Sequence, residues 1–318
     1  MKAQDSIVEH RAPKAEFVTD DPVEILRYAS TSFKEGIPVA LVTLVEIRGG
    51  AARPLGAQMT VRIDGLYCGF VSGGCTEAAV AAEAIEALKT GHDRYLLLGE
   101  GSPFFDIVLP CGGGIRLSIH VLKAIEPVDE VLGQLVLRRE AGLLYRPGAE
   151  AIACVGSTQT GWQAEGFSRV YRPSTRLFIS GNALEASALA NVARAVGYEV
   201  DLVGRAYDRY LWDVSPDRYS AVALLSHDLA AELPALDAAL KSSAFYIGAL
   251  GSRRTHDKRK QALRSLGYDD AEIARIKAPI GMFDKARDAA SLAVSVIADV
   301  AALAAVAHEA SQRPVHLV

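Results

Sequence analysis

Apolar and polar positions along this chain change period in ways that predict its elements. Asp20 or Asp21 with Pro22 opens a helix that Gly36 closes, because proline fits a first helical turn and glycine a helix end. The apolar, β-branched run IPVALVTLVEI (37–47) predicts a buried strand, and QMTVRIDGLYCGFV (58–71) predicts two strands joined at Asp64-Gly65. After Gly73-Gly74, TEAAVAAEAIEALKTG has the composition of a strong helix with Gly91 as its stop, and RYLLLG and GIRLSIHVL supply further strands. Between about 127 and 175 the pattern yields only a strand at EAIACVG and a turn at 146–148. From Arg176 strands and helices alternate: RLFIS, a helix over 182–196 stopped by Gly197, YEVDLVG, SAVALLS, a helix, AFYIGAL and two more helices. That order implies a doubly wound parallel sheet. The expected fold class is therefore α/β: a mixed α+β N-terminal domain followed by a Rossmann-like doubly wound domain. The expected division is a flexible arm over 1–20, a first domain over 21–150 and the Rossmann-like domain over 175–318.

Composition narrows the class. With 318 residues, 50% hydrophobic, 23% charged and a formal net charge of -4, the chain reads as a globular protein with no bias toward nucleic acid. The start mixes both charges and has no apolar core region, so it does not read as a secretory signal. The run ASLAVSVIADVAALAAVA (290–307) is interrupted by Asp299, and Ser291, Ser295 and Asp299 recur every four residues. It reads as a core helix with one weakly polar stripe, and a cytoplasmic location is expected. The four cysteines have no paired short spacing, so reduced thiols are expected in place of a disulfide framework or a structural zinc site.

Candidate chemistry concentrates in glycine-rich turns. Ser72-Gly73-Gly74-Cys75 precedes a helix start, where free amides attract anions and lower a cysteine pKa; the alternative is a small residue filling a tight corner. Cys111 before Gly112 and Gly113 carries the same two readings, whereas Cys68 and Cys154 sit in strand patterns as inert core thiols. Arg48 and Arg53 stand among glycines 49, 50 and 56, where guanidinium forks suit an anionic ligand, or form a plain solvated loop. Gly181 occupies the first position of a dinucleotide fingerprint, but Ala183 replaces the second glycine, and Gly204-Arg205 follow the next strand in place of an acid. NAD(P) binding is disfavoured. Gly251 and Ser252, with Ser252 as an N-cap, precede Arg253, Arg254, Lys258, Arg259 and Lys260, an anion site or a cationic helix face. His227 in SHD ends a predicted strand, positioned for proton transfer or for capping the next segment.

Taken together, these motifs resemble the xanthine dehydrogenase accessory protein family (XdhC/CoxI), from about Val42 to Ala301. The first part is similar through VEIRGGAARPLGAQM, DGLYCGFVSGGCTEAAV and CGGGIRLSI; the second through SHD, YIGALGSRR and APIG. The resemblance implies an accessory factor, rather than an enzyme, that binds the molybdenum cofactor (molybdopterin) as cargo. It implies sulfuration with a cysteine desulfurase, insertion into a xanthine dehydrogenase-type molybdenum hydroxylase, and a homodimer, with no nucleic acid or membrane partner. Carried over by position, Cys75 and Cys111 would be the thiols that approach the cofactor and its metal, cradled by Ser72, Gly73, Gly74, Gly112 and Gly113. The family's glycine-alanine-glycine-histidine start is here Gly181-Asn182-Ala183-Leu184, its acidic position is Gly204, and MFDKARD after APIG is a further departure. The alternatives are an NADP-dependent oxidoreductase, motivated by Arg205, and a partner-binding scaffold acting through 252–260.

Overall fold

The computed structural model describes residues 12–100, 112–156, 159–202, 214–283 and 286–310, the side chains only as far as 307. It divides into two compact units, Met1–Pro173 and Ser174–Val318.

In the first unit the elements are β1 (Lys14–Ala15), α1 (Pro22–Lys34), β2 (Val39–Arg48), β3 (Gln58–Arg62), β4 (Leu66–Gly69), α2 (Glu77–Thr90) and β5 (Arg94–Gly99). They continue as β6 (Gly114–Val121), α3 (Glu126–Val136), β7 (Ala141–Arg146), β8 (Ala151–Val155), β9 (Gly161–Gln163) and β10 (Gly166–Tyr171). The Asp21 side chain accepts from the Val23 amide to cap α1, and Gly91 in left-handed conformation closes α2, as the pattern predicts. A six-stranded sheet runs β1-β4-β3-β2-β6-β5, antiparallel except where β1 meets β4. Strand β2 is buried on both faces. Ala40, Val42 and Leu44 meet Val80, Ala81 and Ala84 of α2, while Val39 and Leu41 meet Leu26 of α1 and Val128 and Val131 of α3.

Two boundary expectations are corrected here. The arm expected over 1–20 gives way at Lys14, whose amide bonds the Gly65 carbonyl while the Glu16 amide bonds that of Tyr67, covering an otherwise open strand edge. An end to the first domain at 150 would cut a sheet. Strands β8-β7-β10-β9 form a four-stranded antiparallel layer, and Leu143 and Tyr171 from it share the core of α1 and α3.

The second unit contains β11 (Arg176–Gly181), α4 (Ala183–Ala195), β12 (Glu199–Leu202), β13 (Ser220–Leu225), α5 (Leu229–Lys241), β14 (Tyr246–Ala249), α6 (Arg253–Ser265), α7 (Asp270–Ala274), β15 (Ile276–Lys277) and α8 (Ala289–Ala310). Its sheet, β12-β11-β13-β14-β15, is parallel throughout. Alternate residues face opposite helix layers. Leu177, Ile179, Ala221 and Ala223 pack with α4 and α8; Phe178, Val222 and Leu224 pack with α5, α6 and α7. This is the doubly wound Rossmann-like arrangement expected.

Helix α8 departs from expectation in one respect. It is long and apolar enough to cross a membrane by length and composition, yet Ala293, Val296, Ile297 and Val300 pack in the unit's core. Two members of its polar stripe, Ser295 and Asp299, face inward. The Asp299 carboxylate accepts from the Tyr246 hydroxyl at 2.8 Å and from Lys277 Nζ at 2.5 Å, and Ser295 Oγ accepts from the Phe283 amide. Because the buried Tyr246 hydroxyl needs a partner, Asp299 lies inside, while Val294 and Val306 face outward.

Candidate functional site

The six-stranded sheet gathers three segments at one end. The exit of β2 at Arg48, the entry to β3 at Gln58, the exit of β4 at Gly69 and the entry to β6 at Gly114 all lie there, since Arg48 pairs with Gly114 and Thr43 with Gln58. The segments touch. A Cβ on Gly113 would stand 2.3 Å from the Gly50 carbonyl oxygen and 2.4 Å from that of Arg48, and one on Gly73 would stand 3.1 Å from Ala52 Cβ. Gly113 is therefore glycine because two backbones approach too closely for a side chain. Cys111 lies outside the described residues, but its neighbours Gly112 and Gly113 are at this end.

The 71–76 loop is built around Glu77, a residue that the glycine pattern alone did not single out. Its carboxylate accepts from the amides of Val71 (3.1 Å), Ser72 (2.8 Å), Gly73 (3.1 Å), Gly74 (2.9 Å) and Thr76 (3.2 Å), and from the Ser72 hydroxyl (2.8 Å). Gly73 and Gly74 reach this arrangement with φ of 95° and 105°. Burial pushes the Glu77 carboxyl up, but the Ser72 amide and hydroxyl and the Val71 amide more than reverse this, holding it below the usual glutamate value. The amides at 72–74 that sequence reasoning offered to an external phosphate are thus already filled by an internal carboxylate. The available signal was an acid at the first helical position behind two glycines.

Cys75 does not share in this network and its side chain is exposed, whereas Cys68 is fully buried with its thiol pushed up to about 12 by burial. Beside the loop an open cleft of about 360 Å³ is lined by Val18, Thr19, Asp20, Arg53, Phe70 and Gly73. Arg53 Nη1 donates to Asp20 at 3.0 Å, while Arg53 Nε is buried without a partner among the described residues. Arg48 is engaged through one of its N–H groups, its Nε donating to Glu46 at 2.7 Å. Among the described residues no group of three or more histidine, cysteine or acidic side chains is arranged to hold a metal ion.

In the second unit the C-terminal ends of β11, β13 and β14 carry the remaining candidates. Gly181 lies against Leu225, where a Cβ would stand 2.3 Å from a backbone carbon, so this glycine is required by strand packing. Ser252 caps α6 as expected, accepting from the Thr255 amide, and Gly251 precedes it with φ of 126°. Arg253 and Arg254 are exposed on the first turn of α6. The cationic face is smaller than the sequence indicates. Arg259 is fully buried, donating from Nη2 to Glu232 and to the Leu250 carbonyl, both at 2.9 Å, so helix packing removes it from the surface. His227 is exposed and is not the cap of α5, a role taken by Asp228 through the Ala230 and Ala231 amides. Gly204 and Arg205 lie outside the described residues.

These features define a two-unit α/β protein with an amide-locked cysteine loop in one unit and a Rossmann-type sheet in the other. Residues 177–300 match the XdhC Rossmann domain and residues 32–98 the XdhC and CoxI family model. The chain is 51% identical over 299 residues to the molybdenum cofactor insertion chaperone PaoD of Escherichia coli (strain K12), covering 92% of this chain and 91% of that protein. It therefore belongs to the XdhC and CoxI family. It is also 26% identical over 283 residues to the uncharacterized protein YqeB of the same organism, covering 87% of this chain and 46% of YqeB. A crystal structure described as a xanthine dehydrogenase from Bacillus halodurans has the same fold, with a TM-score of 0.71 at 19% identity over 93% of this chain and 98% of that one.

Proposed function

We propose that this chain is a molybdenum cofactor insertion chaperone, as PaoD is named, holding the cofactor as cargo for a molybdenum hydroxylase of the xanthine dehydrogenase type. The observation that carries this reading is an exposed thiol, Cys75, on a rigid loop beside a cleft lined by the Arg53 guanidinium. A thiolate can approach the metal end of the cofactor, and a guanidinium N–H suits its phosphate. Cys111 supplies a second thiol in this reading, with Ser72, Gly73, Gly74, Gly112 and Gly113 forming the loops around the cargo and Gly113 allowing the closest backbone approach. The second unit, taken by itself, offers Gly181, His227, Gly251, Ser252, Arg253 and Arg254 at the ends of its parallel strands as candidates for an anionic ligand. Holding and handover need no turnover. Sulfuration with a cysteine desulfurase, action as a homodimer and a cytoplasmic location complete the proposal.

The test is to purify the chain anaerobically from a cofactor-producing host and quantify released, oxidised pterin by fluorescence per mole of protein, for wild type, Cys75→Ser and Cys111→Ser. Near-stoichiometric pterin that falls in the variants, with folding intact, is expected. Equal retention in all three would make the thiols structural and overturn the reading.

A further inference from the structure

Five amides and one hydroxyl converging on a single carboxylate is more than helix initiation requires. An N-terminal cap ordinarily satisfies one or two orphan amides, whereas Glu77 binds donors from Val71, Ser72, Gly73, Gly74 and Thr76 and skips only Cys75 within that run. The Thr76 amide also reaches Ser72 Oγ at 3.1 Å, so the loop closes on itself around the acid. A run of amides pointing inward at one centre is the geometry of an anion-binding nest. Here the anion is covalently part of the chain and almost wholly buried.

We propose that Glu77 is a positioning residue for Cys75: by permanently filling the nest it fixes the loop in the one conformation that turns the Cys75 side chain outward, toward cargo. This rests on the reading of Cys75 as a cargo contact. Two glycines with left-handed φ would be a conformationally loose pair without an internal tether, and Glu77 supplies one from the adjoining rigid helix. The loop then presents a thiol without ordering cost when cargo arrives.

The experiment uses the full chain and two variants. Glu77→Gln keeps the shape but turns an NH2 group toward the amide donors; Ser72→Ala removes only the hydroxyl and serves as a graded variant that keeps the carboxylate. Amide hydrogen exchange is read residue by residue. In Glu77→Gln, exchange at 71–74 and 76 should accelerate about tenfold or more, the order expected for loss of charge-assisted hydrogen bonds. Ladder amides of β2 and β3 should be unchanged. Ser72→Ala should give a smaller acceleration at the same amides. In parallel, Glu77→Gln with Cys75 intact should lose pterin to the level of Cys75→Ser, with the double variant no lower. Unchanged loop exchange would overturn the inference, as would accelerated exchange with full pterin retention. Acceleration spread over the whole first unit would reduce Glu77 to a general stabiliser and also overturn it. If Cys75→Ser itself keeps its pterin, it is the cargo reading that falls, and loop exchange still decides whether Glu77 holds the loop.

Discussion

Replacing Gly113 by alanine tests whether the glycines at this end of the sheet are present for contact or for backbone conformation. The added methyl would sit 2.3 Å and 2.4 Å from two carbonyl oxygens and 2.8 Å from the Gly50 nitrogen. All three are backbone atoms and Cβ has no rotamer freedom, so β6 and the 48–50 segment must separate. Overpacking of this kind costs about 3 kcal/mol or more. Gly112, its neighbour, has φ of 69° and open space around a would-be Cβ, so alanine there costs only the left-handed conformation, about 1 to 2 kcal/mol. For a unit of this size each kcal/mol lowers the midpoint by about 2 to 4 °C. Calorimetry of the full chain should therefore show the first unit's transition falling by about 6 to 12 °C in Gly113→Ala and by about 2 to 8 °C in Gly112→Ala. Gly113→Ala should also lose pterin, because it separates the segments that converge beside Cys75. Equal midpoints in the two variants, or full retention in Gly113→Ala, would refute the close-approach explanation.

Two further outcomes follow from the ion pairs. Arg259→Met leaves the Glu232 carboxylate, already raised by burial, without its cation, and should cost the second unit about 3 to 5 kcal/mol in denaturant unfolding, with Arg259→Met/Glu232→Leu recovering most of it. Glu150 is lowered from 4.5 to about 2 by hydrogen bonding to Lys123, helped by the Asp93 amide and His92. A depressed carboxyl adds stability that is complete above pH 4.5 and lost as pH falls toward 2, so the wild type should lose more stability than Glu150→Gln across that window in acid titrations of the unfolding midpoint.

Both units were legible where a period was sustained. Strands 39–48, 58–62 and 66–69, the Asp64-Gly65 turn and the alternation beyond Arg176 follow from apolar spacing and glycine stops. Within 127–175 the expected strand at EAIACVG is observed as β8 and the expected turn at 146–148 as a short turn over Pro147–Ala149, but the rest was not legible, because β9 has three residues and β10 is flanked by turns. Helix α3 contains Gly133 and shows its core face only through Val128, Val131 and Leu135. The inward stripe of α8 was misread as a weakly polar face, since its partners Tyr246 and Lys277 belong to strands far away in sequence.

The glycine turn at Cys75 shows why such a motif underdetermines its ligand. Left-handed glycines ahead of a helix announce a nest of amides, but the letters do not say whether an outside anion or an inside one fills it. Once Glu77 takes those amides, the described residues around the loop still include the exposed Cys75 thiol and, lining the cleft, the Arg53 guanidinium, whose Nη1 also donates to Asp20. A free phosphate would use the guanidinium and leave the thiol without a role. A ligand carrying both an anionic group and a thiol-binding centre would find a partner for each, and under the proposed function that pairing of chemistries, more than the number of glycines, would separate a cofactor carrier from a general anion site.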